Sequence, residues 1–180
     1  GGEGLEVELG GCVDFTIAEL DHFTNLPDPT GVNALVIIEN AVGLESGDEI
    51  GLFDANGITN SGNCTSELDE ILVGAAVWTG SQIDIVGIGS IDNCSIGGYQ
   101  LPGWILSNPI SLKVWDASEN LEYIVTPEFI SGDGVWGEVL SVIGELDAWR
   151  YGCTDNFAVN YDPIANNDDG SCEYDLCPDS

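Results

Sequence analysis

"ILVGAAVWTGSQIDIVGI", from Ile71 to Ile88, sets two apolar runs on either side of a short polar break. Neither run has the 3.6-residue rhythm of an amphipathic helix, and each is too short for a buried helix of ordinary length. Thr79-Gly80-Ser81-Gln82 between them has turn chemistry, because glycine reaches backbone angles closed to other residues and serine bonds its own backbone. The stretch therefore reads as strand, turn, strand.

The same texture runs outward from this pair. Residues 5–9, 13–17, 34–39, 49–53, 71–78, 82–88, 111–115, 122–125 and 135–143 are the expected strands. Asp54 to Gly57 (DANG) and Ser131 to Gly134 (SGDG) are expected turns. Runs such as "ALVII" and "ILVGAAVW" are apolar on both faces, which suggests strands covered on both sides. An all-β fold is expected, a β-sandwich or jelly-roll-like domain, followed by a small disulfide- and calcium-stabilised module. The expected divisions are an N-terminal strand segment over residues 1–20, a β-sandwich over 21–148 and an acidic Cys-rich module over 149–180.

Composition narrows the function. Two basic residues, Lys113 and Arg150, stand against 32 Asp and Glu in 180 residues, a formal net charge of −30. No basic groove can be assembled from two cations, so nucleic acid is excluded as a partner, and anionic membrane surfaces are disfavoured. Self-repulsion at this charge calls for screening by salt or by divalent cations on carboxylates. No apolar run approaches the roughly 20 residues that span a bilayer, so no transmembrane segment is expected. The opening Gly1-Gly2-Glu3 suits a processed mature chain or an excised fragment.

Six cysteines with one histidine and no C-x-x-C pair read as disulfides, and so as an extracellular protein, secreted or at the cell surface. Six cysteines allow 15 pairings. Cys64 with Cys94 is the first expectation, since both fall in polar loops of the β region; Cys153 with Cys172 is the second. Cys12 and Cys177 then remain near opposite ends, able to tie head to tail within a chain or between chains. The N-terminal stretch "LEVELGGCVDFTI" is of the kind that adds to a neighbour's sheet edge. A head-to-tail contact that does not close into a ring yields filaments, so self-association is an expected partnership.

After Ala148 the apolar strands give way to "GCTDNFAVNYDPIANNDDGSCEY", Gly152 to Tyr174. A module this small cannot rest on an apolar core alone. Calcium takes six to eight oxygen ligands, and Asp155, Asn160, Asp162, Asn166, Asp168 and Asp169 supply them, with Asn156 and Asn167 in reserve and Gly170 for the turn. The spacing is not that of an EF-hand. Asp48, Asp54 and Asn56, near Glu49, form a possible second cation site; Asp84, Asp92 and Asp116 are further loop-end candidates.

This stretch closely resembles the short C-T-D-x-x-A-x-N-Y-x-P-x-A-x-x-D-D-G-S-C repeats of large secreted and surface proteins of marine bacteria, themselves similar to thrombospondin type 3 calcium repeats. Cys153, Thr154, Asp155, Ala158, Asn160, Tyr161, Pro163, Ala165, Asp168, Asp169, Gly170, Ser171 and Cys172 carry the match. The resemblance implies Ca²⁺ binding and a spacer or anchoring role without catalysis. "DLCPDS" follows where a tandem array would begin its next repeat. The β region, through "GDEIGLFDANG", "VGAAVWTG" and "ISLKVWDASENLEYIV", resembles a domain of the same secreted proteins, which implies a β-sandwich. Gly87-Ile88-Gly89 stands where that domain's second turn carries an acidic pair after Trp-Gly.

Nothing here composes an active site. His22 lies in "DHFTN" with no Ser or Cys in a nucleophile context, so it reads as a surface or loop residue and the chain as a non-enzyme. Trp78 and Trp115 are expected in packing, Trp104 and Trp149 at surfaces that meet a partner. Lys113 is expected in an ion pair. Asn63 and Asn93 sit in N-x-[ST] sequons. The expectation is a structural subunit assembling into a surface filament; the alternative is a carbohydrate-binding or adhesion module, with glycans as partners.

Overall fold

A computed structural model describes residues 19–175. The expected strands at residues 5–9 and 13–17, together with Cys12 and Cys177, lie outside the described residues. The all-β class expected from the sequence is what the structure shows.

Two four-stranded sheets carry the fold. In the first, β1 (Asn33–Ile38) is central, antiparallel to β5 (Ile83–Ile88) and parallel to β11 (Leu140–Ile143), which in turn pairs with β10 (Phe129–Ser131). In the second, β3 (Glu49–Ile58) lies between β4 (Leu68–Val77) and β8 (Ser111–Asp116), and β9 (Leu121–Val125) closes the far edge. Three short pairs brace the rest: β2 (Ala41–Val42) with β12 (Leu146–Asp147), β6 (Ile91–Asp92) with β7 (Gln100–Leu101), and β13 (Tyr151–Gly152) with β14 (Asn167–Asp168).

Alternation decides which faces meet. Ala34, Val36 and Ile38 of β1 and Ile83 and Ile85 of β5 point to one side, where they join Ile50, Leu52, Val73, Leu112 and Val114 of the second sheet in one apolar cluster. Asp84 and Val86, on the opposite face of β5, are exposed, so that strand is covered on one side. Burying side chains of this size removes about 1.5–3 kcal/mol each of apolar exposure, which is what holds the sheets together.

Two local expectations are corrected. Asp54 to Gly57 is no turn: β3 runs through it, with a shift of register against β4 between Asp54 and Gly57. A bulge forms there because the Asp54 carboxylate accepts the Asn56 N–H two residues on, at 2.9 Å. Gly57 permits it, since a Cβ at that position would stand 2.5 Å from a methyl of Ile71 and 2.8 Å from the Gly103 carbonyl. The expected strand over 135–143 is a strand only from Leu140, because Gly137 at φ +109° breaks the extended run. The turns at Thr79 to Gln82 and Ser131 to Gly134 are found, with Gly80, Gly132 and Gly134 at positive φ.

Candidate functional site

Cys153 is bonded to Cys172 and Cys64 to Cys94, the two pairings expected, with Cα separations of 4.9 and 5.8 Å. Beyond Ala148 the chain folds back on itself so that Tyr151 and Gly152 pair with Asn167 and Asp168. The Arg150 carbonyl accepts N–H bonds from Asn166 at 2.9 Å and Asn167 at 3.2 Å. Short side-chain loops do the rest. Asp155, Asp162, Asp168 and Asp169 each accept through Oδ1 the N–H two residues on, from Phe157, Ile164, Gly170 and Ser171 at 2.9–3.0 Å.

These bonds decide which oxygens stay open. Asp155 spends its second oxygen on the Tyr174 hydroxyl at 2.6 Å, and this bond holds its carboxyl below the usual range and Tyr174 above its own. The Ser171 side chain and N–H lower Asp169 likewise. Asn160 accepts the Glu173 N–H through Oδ1 at 2.8 Å, and Asn166 accepts the Arg150 N–H at 3.0 Å. Asp162 and Asp168 therefore keep Oδ2 available for a cation, while Asp169 also serves the Ser171 side chain. Among the described residues no group of three or more His, Cys, Asp or Glu side chains converges on one ion position, so calcium would have to draw these carboxylates together.

The second candidate cluster is spread through the β-domain as backbone anchors. Asp54 is buried and accepts N–H bonds from Ile105, Asn108 and Asn56. Asp48, also buried, accepts from Glu45 at 2.8 Å and Ala117 at 3.1 Å. Asn56 is exposed. With their oxygens facing donors, Asp48 and Asp54 act as loop ties. Neighbouring Glu49 takes the N–H groups of Asp21, His22 and Phe23 and so pins the segment entering the domain. Asp92 accepts from Cys94 and Gln100, and Asp84 from Gln82.

Asp116 meets the residue that sequence reasoning missed. Arg150 is buried at the head of the module, donating to Asp116 at 3.1 Å, Glu119 at 2.6 Å and the Ile164 carbonyl at 2.7 Å, with its guanidinium 4.9 Å from the Tyr123 ring centroid. Burial pushes Asp116 up, but the bonds from Ser118 and Arg150 outweigh it and hold the carboxyl below its ordinary value. Burial pushes Tyr123 up to about 12. One arginine amid 32 acids was itself the signal, since a cation that scarce is drawn to carboxylates.

The tryptophans divide differently from expectation. Trp78 is buried, as expected, and Trp115 stacks on His22 with centroids 3.9 Å apart. Trp104, expected at a partner surface, is buried against Trp136 and donates to the Gly87 carbonyl at 3.0 Å. Trp149 is 39% exposed. His22 is exposed and 2.8 Å from Glu122, whose carboxyl this bond lowers. Lys113 pairs with two carboxylates, Glu70 and Glu122, where one had been expected. Both sequon asparagines, Asn63 and Asn93, are exposed.

No protein-family model matches the chain, and no curated protein does. A solved structure, the crystal structure of a 9R-lipoxygenase from Cyanothece PCC8801, is similar at 15% identity and TM-score 0.37 over 82% of this chain. The chain spans 21% of that enzyme's length, and a likeness this faint carries no argument about fold or activity. Among the described residues no helix is long and apolar enough to cross a membrane.

Proposed function

We propose that the chain is a non-enzymatic extracellular structural subunit, stabilised by disulfides and calcium, that assembles head to tail into a surface filament. The supporting observation is the module itself. A covalent bridge and a lattice of Asp and Asn turns hold a segment whose apolar side chains lie mostly in solvent: Phe157 is 85% and Val159 67% exposed. Asp162 and Asp168 keep an oxygen apiece for a hard cation, and Asp169 stands beside them. Calcium there would offset part of the −30 charge and rigidify the link between one subunit and the next. The exposed apolar side chains of the module suit burial against a neighbour.

Electron microscopy and calorimetry of the purified chain, with calcium and with chelator, test this directly. Fibres that loosen in chelator, with a melting temperature that falls, are expected. Monomers in both conditions, retained on glycan columns, would establish the adhesion module instead. Melting unchanged by chelator would remove calcium from the reading.

A further inference from the structure

A cleft of about 680 Å³ opens where the outer strands of both sheets come together. Ile124 of β9 and Ile130 of β10 form its apolar side, and both are well exposed. Trp149 and Tyr151 form the aromatic side, 39% and 54% exposed. Asp147 accepts the backbone N–H of Trp149 at 3.1 Å and the Tyr151 hydroxyl at 2.9 Å, which holds the Tyr151 ring. Glu128 and Glu145 also line it, the latter held by the Asn40 amide at 2.8 Å.

The hydrogen-bonding character of this wall is one-sided. Three carboxylates accept, while the Tyr151 hydroxyl already donates to Asp147, which leaves the Thr126 hydroxyl and the Trp149 indole N–H as the side-chain donors. A sugar, whose hydroxyls donate and accept in equal measure, finds few donors here. A positive group finds ring faces of negative potential together with carboxylates that have no basic partner in the cleft. We propose that the cleft binds a small organic ammonium ion, its alkyl groups against Trp149, Tyr151 and Ile124 and its charge facing Glu128 and Glu145. The volume is that of a small-molecule site. A second copy of the chain offers this chemistry poorly: its lysine and arginine are already held, Lys113 by Glu70 and Glu122 and Arg150 by Asp116 and Glu119.

The test uses the full chain with calcium present, so that its outcome is separate from that of the module. Choline and its neutral isostere 3,3-dimethylbutan-1-ol are titrated while the Trp149 indole resonance, assigned by W149F, is followed by NMR. Saturable binding of choline, at least about tenfold tighter than the isostere, is expected. Trp149→Ala, which removes the reporter and is therefore followed by titration calorimetry, should abolish the heat of choline binding, and Glu128→Gln, at an exposed residue, should weaken binding about threefold with the melting temperature unchanged. Equal binding of the two compounds, no saturable shift with choline, or displacement of choline by a neutral oligosaccharide would each overturn the assignment.

Discussion

Val36, Ile38, Ile50, Leu52, Val73, Leu112 and Val114 have no exposed surface at all, whereas between Trp149 and Tyr174 the buried side chains are Arg150, Cys153 and Ala158. The β-domain turns its alternating strands into a shared interior, and its polar residues serve that interior by tying loops: Asp48, Glu49 and Asp54 each satisfy backbone N–H groups that would otherwise be orphaned. The tail has too little apolar area for that route. It uses one disulfide, a row of Asp turns and a single buried cation. Two neighbouring regions of one chain thus rest on different physics, and perturbations should tell them apart.

The largest effect is expected from the β-domain core. Leu52→Ala opens a cavity at the centre of the second sheet, between β4 and β8, and should cost about 2–5 kcal/mol. Amide exchange should show that loss across β1, β3 and β8, while the amides of Gly152, Asn166 and Asn167 keep their protection relative to the domain they dock on. The converse is Cys153→Ser with Cys172→Ser. Removing a bridge between residues 19 apart should cost about 3 kcal/mol, confined to the tail. A single transition, with core and tail amides losing protection together in both variants, would show one cooperative unit and dissolve the distinction.

Much of this division was legible beforehand, because it rests on composition. Short apolar runs bounded by turn residues mark β1, β4, β5, β8 and β9 in the bare sequence, and the change to Asn, Asp and Gly after Ala148 marks the tail. The cysteine pairings followed from which loops and which module held them. What escaped was set by contacts distant in sequence. Asp54-Ala55-Asn56-Gly57 has every local property of a turn, yet Ile105 and Asn108, some fifty residues on, donate to Asp54 and keep β3 extended. Trp104 follows a Pro-Gly like a surface residue, and only the fold reveals Trp136 lying parallel to it, 5.6 Å away. The candidate ligands behave alike: sequence counts oxygens, but cannot say that Asp48 faces Ala117 or that Asn166 caps Arg150.

The smallest effect, and the sharpest for the boundary between the regions, comes from acid. Asp116 is the β-domain's side of the Arg150 contact, and its carboxyl lies below the ordinary value. Asp155 and Asp169 inside the tail are lowered as well, by the Tyr174 and Ser171 side chains. A group whose folded pKa is depressed contributes stability above its unfolded value, near about pH 4, and loses it as pH falls through the folded value. These three contributions are therefore constant from neutrality down to about pH 5 and drain away below about pH 4. Protonation also relieves the self-repulsion of a chain at −30, which acts in the opposite direction, so the measurement belongs in about 1 M salt, where charges are screened beyond roughly 3 Å. Under those conditions the tail amides around Arg150 and Asn166 should lose protection on acidification before those of β1 and β3. Asp116→Asn should lower the tail's protection at neutral pH and flatten its acid dependence, leaving β1 and β3 as they were. If the variant keeps the wild-type acid slope, Asp116 does not hold the two regions together, and the Arg150 contact follows their docking instead of producing it.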